Sequence, residues 1–140
     1  MIVLDVGVWL AAAWGRHLHH RAAADWLDQQ EDDLALCRVT QMSLLRLLSN
    51  PAVMDQDVVS RAAAWRLIDQ FRADERVVWA EEPPNLEAAW RAISARDENS
   101  HKLWTDDYLA AFAQAAGATL ATLDQKLQNW YPSVQVETLA

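Results

Sequence analysis

Thr105-Asp106-Asp107-Tyr108-Leu109-Ala110-Ala111-Phe112-Ala113-Gln114-Ala115-Ala116-Gly117-Ala118-Thr119-Leu120-Ala121-Thr122-Leu123-Asp124 is the stretch on which the fold turns. Leu109, Phe112, Ala113 and Ala116 recur at spacings of three and four, the period of a helix face. Thr105 can cap that helix, and Gly117 suits the left-handed position where helices end. Thr119-Leu120-Ala121 then reads as a short buried strand, with Asp124 just beyond it. The same alternation continues outward from this segment. Ile2-Val3-Leu4 is a buried strand ending at Asp5, Leu34 to Val39 a second, Val77-Val78-Trp79 a third, and Val134 to Val136 a weak last one. Between them, Ala23, Trp26 and Leu27 mark one helix, and Val58, Ala62, Trp65 and Ile68 another. Strands alternating with helices predict an α/β fold, a parallel sheet of about five strands flanked by helices.

Capping residues divide the rest. Thr40 can cap a helix over Gln41 to Leu48 that stops at Asn50-Pro51, Asp55 can cap the next, and Asn85 can cap one through Ile93. With three Gly and four Pro there is no linker, repeat or low-complexity tract, so residues 1–140 read as a single domain. A chain of this length hides roughly 68–70% of its unfolded surface in one core. The single Cys37 excludes an internal disulfide and favours a reducing cytoplasm. The uncharged run from Tyr108 to Leu123 is too short and too polar to span a bilayer, and no basic, apolar leader precedes Asp5. Eight tryptophans are many for this length; Trp26, Trp65 and Trp90 fit helix faces, so core packing is their expected role. Base stacking by Trp14 or Trp104 is the minority expectation.

Charge points away from a general polyanion-binding surface, since twelve Lys and Arg stand against twenty Asp and Glu, a net −8. Bound divalent cations can reverse that sign locally. Ligands of parallel sheets bind beyond the carboxyl ends of the strands, where strand order reverses. Asp5 and Asp124 follow two such ends, and Asp106 lies in the first turn of the helix before the fourth strand, where the helix dipole favours an anion. No glycine-rich phosphate loop accompanies them. Two carboxylates about 4 Å apart repel by on the order of 4 kcal/mol at an effective dielectric near 20. Three that converge must share protons, recruit a base or bind a cation. Oxygen-only ligation suits Mg²⁺ or Mn²⁺, and such an ion beside a phosphodiester promotes hydrolysis. Taken singly, each Asp is equally well explained as a helix cap or turn residue. His17, His19 and His20 read as an exposed helix start, Cys37 as a core residue, and Glu31-Asp32-Asp33 and Glu81-Glu82 as solvated turns.

Four segments in order complete the pattern: Met1-Ile2-Val3-Leu4-Asp5; Val39-Thr40-Gln41-Met42-Ser43-Leu44-Leu45-Arg46-Leu47-Leu48-Ser49-Asn50-Pro51; Thr105 to Ala113; and Ala121-Thr122-Leu123-Asp124. Together they resemble a PIN domain of the VapC type, the toxin of a type II toxin–antitoxin pair, and the resemblance covers essentially the whole chain. It implies a Mg²⁺- or Mn²⁺-dependent endoribonuclease that cuts structured RNA, such as transfer RNA, at single-stranded loops. It also implies a homodimer neutralised by a small VapB-like antitoxin. Asp5 then matches the first acidic ligand, Asp106 the third and Asp124 the fourth, with Asp107 the poorer match of its pair. The second acidic position falls on Arg46, which becomes a candidate substrate-binding residue, and Gly7 stands where many relatives carry Asn.

Two other functions compete with the nuclease toxin. Arg46 and Gly7 suggest a PIN fold weakened in catalysis that serves as an RNA- or protein-binding module. A phosphoacceptor receiver domain would want an acidic pair beside the first strand and a Lys at the last, and Asp5 has neither.

Overall fold

The structure, a computed structural model, describes residues 1–139. Five strands, β1 (Ile2–Leu4), β2 (Leu34–Leu36), β3 (Val77–Trp79), β4 (Thr119–Thr122) and β5 (Val136–Thr138), form one sheet in the order β3-β2-β1-β4-β5. Every pairing is parallel, with Ile2 opposite Leu34 and Thr119, Leu36 opposite Trp79, and Thr122 opposite Thr138. The connecting helices are α1 (Val6–Ala13), α2 (His20–Gln29), α3 (Arg38–Leu48), α4 (Pro51–Met54), α5 (Arg61–Arg72), α6 (Leu86–Ser94), α7 (Trp104–Ala116) and α8 (Leu127–Trp130). The expected α/β architecture is therefore present.

Alternation along the strands sends side chains to two cores. Ile2, Leu4, Leu34 and Leu36 pack with Val8, Trp9, Leu44, Leu48 and Ile68 on one face. Val3, Ala35 and Leu120 pack with Leu109, Phe112 and Leu127 on the other. Helix α7 is buried continuously from Asp107 to Ala113, which explains its run of alanines: small residues let it lie close against the sheet.

Several expected boundaries move. β2 stops at Leu36, not Val39, because its partner β1 gives way to α1 at Val6 and β3 ends at Trp79, leaving nothing to pair with beyond. Helix α3 consequently starts at Arg38 behind an extended Cys37, and Thr40 is buried inside its first turn instead of capping it. Ser60, not Asp55, caps the helix that follows: its Oγ accepts from the Ala63 N–H at 3.1 Å, while Asp55 begins a 3₁₀ turn with φ 52°. Asn85 does precede α6, but in the left-handed region and without a side-chain cap. Leu103 takes the N-cap position expected of Thr105, whereas Gly117 ends α7 at φ 64° as its type requires. The last strand lies two residues beyond Val134, which is buried in the turn before it.

The tryptophans divide. Trp9 is fully buried and meets Phe71 edge-on at 5.0 Å, but Trp65, Trp104 and Trp130 are 48%, 55% and 56% exposed. Core packing thus fails for Trp65, which an α3–α5 groove leaves open to solvent.

Candidate active site

Strand order reverses between β1 and β4: from β1 the chain moves outward to β2 and β3, then returns to place β4 and β5 on the other side. Asp5 and Asp124 emerge from the carboxyl ends of those two central neighbours. Asp5 occupies the N-cap position of α1, yet its side chain makes no cap. It accepts instead a hydrogen bond from the Thr122 hydroxyl at 3.0 Å. Thr122 is fully buried, and its Oγ1 also accepts from the Asp124 backbone N–H at 3.0 Å. One hydroxyl therefore ties the two strand ends together. The Asp124 carboxylate accepts from the Lys126 N–H at 2.9 Å, which fixes the turn after β4.

Burial raises the Asp5 carboxyl above its ordinary value, and the Asp124 charge adds to this; the Thr122 bond and the Val6 backbone pull the other way. Asp106, in the first turn of α7, is raised further, from 3.8 to about 6, by burial first and then by the charges of Asp5, Asp124 and Asp107. These three candidate carboxylates thus lie within electrostatic reach of one another. Asp107 turns elsewhere. Buried, it accepts hydrogen bonds from the Tyr131 hydroxyl and from the Arg96 guanidinium, the latter at 3.2 Å. Its charge is matched, whereas that of Asp106 is not.

Asp106 also lines an open cavity of about 600 Å³ with Val6, Ser43, Arg46, Asn50 and Thr105. Arg46, exposed on α3, lines the same cavity as Asp106. Gly7 sits in the first turn of α1, where an added Cβ would meet nothing within 4 Å.

The donor set fits a hard divalent cation: all oxygens, excess negative charge, and room for water and phosphate. Among the described residues, no three His, Cys, Asp or Glu side chains close into a ready-made cage. Mg²⁺ does not need one, because it keeps several waters and commonly takes one or two carboxylates plus substrate oxygens. Asp5, Asp106 and Asp124 are the residues that would hold it.

Sequence reasoning did not single out Thr122, although a Thr two residues before an Asp at a strand end was a visible signal. Nothing in the sequence announced that Tyr131 and Arg96 would meet Asp107, since their partnership depends on how α6, α7 and α8 pack.

The PIN domain family matches residues 2–131. Ribonuclease VapC41 of Mycobacterium tuberculosis is 40% identical over 146 residues, covering 100% of this chain and 99% of the relative. Ribonuclease VapC29 of the same organism is 33% identical over 136 residues, covering 96% and 94%. Among solved structures, VapBC2 from Rickettsia felis bound to a promoter DNA fragment superposes with a TM-score of 0.72 over 100% of both chains at 14% identity, a likeness of fold. With α/β topology, carboxylate placement and full-length similarity in agreement, the chain belongs to the PIN-domain family, among the VapC proteins.

Proposed function

We propose that this protein is the ribonuclease toxin of a VapB–VapC pair, an endoribonuclease that uses Mg²⁺ or Mn²⁺ held by Asp5, Asp106 and Asp124. The observation that carries the reading is the convergence of Asp5, Asp106 and Asp124 within electrostatic reach of one another, with Asp106 lining an open cavity and making no ion pair among the described residues. Its VapC relatives bear the name ribonuclease. The divalent ion, when bound, supplies the positive charge that lets a phosphodiester approach this acidic cluster and activates water for hydrolysis. Thr122 orients Asp5 by donating to one of its carboxylate oxygens. Asp106 is carried on the N-terminal turn of a buried helix, which holds its position while leaving the carboxylate accessible. Arg46, lining the same cavity, is placed to hold a phosphate oxygen pair through its fork of N–H donors.

The partners follow from the same reading: structured RNA such as transfer RNA as substrate, a VapB-like antitoxin, and a second copy of this chain. Half-exposed Trp65 and exposed Met42 offer apolar surface for self-association, in a groove they share with Arg46 and Arg61. Light scattering that returns a strict monomer at tens of micromolar would count against the homodimer. No helix among the described residues is long and apolar enough to cross a membrane.

A second reading, a PIN fold retained for binding with weakened catalysis, is suggested by Arg46 and Gly7, which stand where the family resemblance expects an acid and, in many relatives, an asparagine. Cleavage of purified RNA with Mn²⁺, with EDTA, and by Asp5→Asn separates the two. Cleavage that survives EDTA or the substitution refutes the metal-site reading, and wild-type protein that binds RNA without cutting it supports the second.

A further inference from the structure

The nuclease reading leaves one cationic feature unused. Arg38 and Arg72 both lie over the Trp79 ring, with guanidinium carbons 4.5 and 5.2 Å from its centroid. Both arginines are exposed, and neither makes an ion pair among the described residues. Arg38 gives one N–H to Gln41, and the Trp79 indole N–H is fixed by Glu81 at 2.9 Å. Two like charges gathered on one aromatic ring are unexpected in a chain of net charge −8. The ring's negative face offsets part of their repulsion and holds both guanidinium groups in place without neutralising them. Glu81 and Glu82 line the adjoining cavity with Arg38, but each already accepts a hydrogen bond, from Trp79 and Tyr108 respectively.

Placement connects this group to the carboxylates. Ile2, Leu34 and Val77 share one row of the sheet, so Trp79 stands in the row of Leu36 and of Leu4, the residue before Asp5. Two strand spacings, about 10 Å, separate β3 from β1. Helix α3, which carries no acidic residue, bears Arg38 at its start and Arg46 eight residues on, about 12 Å along the axis and within a quarter turn. Helices α3 and α5, which carry Arg38 and Arg72, together hold five arginines (38, 46, 61, 66 and 72) against one aspartate, Asp69, a balance of +4 within the two helices, with Glu81 and Glu82 beside Arg38.

We infer that Arg38 and Arg72, stacked on Trp79, form a binding site for backbone phosphates of the substrate RNA, outside the cleavage site and on a basic track that continues through Arg46. This inference rests on the ribonuclease reading for the identity of the polyanion. Stacked guanidinium groups keep their N–H edges free for bidentate contact with phosphate, which is independent of base sequence.

The test uses full-length protein in EDTA, with a fluorescein-labelled, mixed-sequence single-stranded oligoribonucleotide as probe and anisotropy as readout across a salt series. Arg38→Ala with Arg72→Ala should weaken binding several-fold for every probe sequence. It should also lower the slope of log K against log salt by up to about 1 per arginine removed. Arg38→Lys with Arg72→Lys should retain most of that slope, and circular dichroism should match wild type because both side chains are exposed. With Mn²⁺, the alanine pair should raise KM on long RNA and leave kcat within twofold. An unchanged salt slope in a folded alanine pair, with wild type cleaving RNA, overturns this inference alone. A wild type that binds with an arginine-dependent slope but never cleaves overturns the nuclease reading and leaves this site standing. Loss of binding to an acidic polypeptide such as poly-glutamate, with RNA binding intact, would reassign the site to a protein partner and also overturn it.

Discussion

Asp106→Asn should make the metal-free protein more stable, and the size of the gain can be worked from the site. A carboxyl moved from 3.8 to about 6 carries an ionisation penalty of about 3 kcal/mol before screening. The side chain is partly open to water, which reduces this to about 1–2 kcal/mol. The native state holds the Asp106 proton more tightly than the unfolded chain does. Stability therefore falls as pH rises from about 4 to about 6, and the full penalty is present above that window. Asparagine has nearly the same shape and no charge to place beside Asp5 and Asp124. In EDTA at pH 7.5, differential scanning calorimetry should give the variant a Tm about 3–8 °C above wild type. The gap should close toward pH 4, where the wild-type carboxyl is protonated. Added Mn²⁺ should raise the wild-type Tm and move the variant much less, while RNA cleavage by the variant is abolished. A variant no more stable at pH 7.5, or a gap independent of pH, would refute the claim that burial and the neighbouring carboxylates together disfavour the Asp106 charge.

Other substitutions probe the remaining parts. Thr122→Val keeps the shape but removes the donor to Asp5 and the acceptor for Asp124; it should cost about 1–2 kcal/mol in urea melts. The same change should shift the acid limb of the cleavage pH profile upward, because it deletes the bond that holds Asp5 down. Gly7→Asn meets open space in the first turn of α1, so the variant should be at least as stable as wild type and cleave RNA faster. Tyr131→Phe leaves buried Asp107 with Arg96 alone and should cost about 1.5–3 kcal/mol by denaturant titration. Arg46→Ala should weaken cleavage without lowering Mn²⁺ affinity, and Arg46→Glu should increase the Mn²⁺ stoichiometry seen by calorimetry; no change in either places Arg46 outside the site.

The sheet was readable because its strands are short apolar runs separated by helical spacing, a contrast that tertiary packing sharpens. Asp5 and Asp124 could be placed together before any coordinates, since parallel topology brings strand ends to one crest whatever the helices do. Segment ends were harder to read. Val39 has a strand former's side chain, but β2 can extend only as far as β1 and β3 accompany it, so Val39 joins α3. Thr40 and Thr105 look like caps, yet α3 begins without a side-chain cap behind buried Cys37, its first turn packed through Thr40 and Gln41, and α7 begins behind Leu103 with no side-chain cap. Trp65 has the right helical phase for burial but sits at the edge of the stripe, where α3 leaves a groove. The Asp107–Tyr131–Arg96 cluster was illegible because each partner lies on a different segment and none has a local motif. A net −8 averaged over the chain likewise conceals the basic balance of α3 and α5.

The hydroxyl that bridges the two central strands joins residues 117 positions apart. Closing a loop of that length costs about 4 kcal/mol of chain entropy beyond the constant term, and no local structure can offset it in advance. The candidate catalytic geometry is therefore among the last things the chain can acquire. A nascent polypeptide that has emerged only as far as β3 contains Asp5 and Arg46 but neither Asp106 nor Asp124, and a fragment clipped before β4 is left with one strand end where two must meet. On the nuclease reading, neither a chain still being synthesised nor one whose fold has opened holds Asp5, Asp106 and Asp124 together.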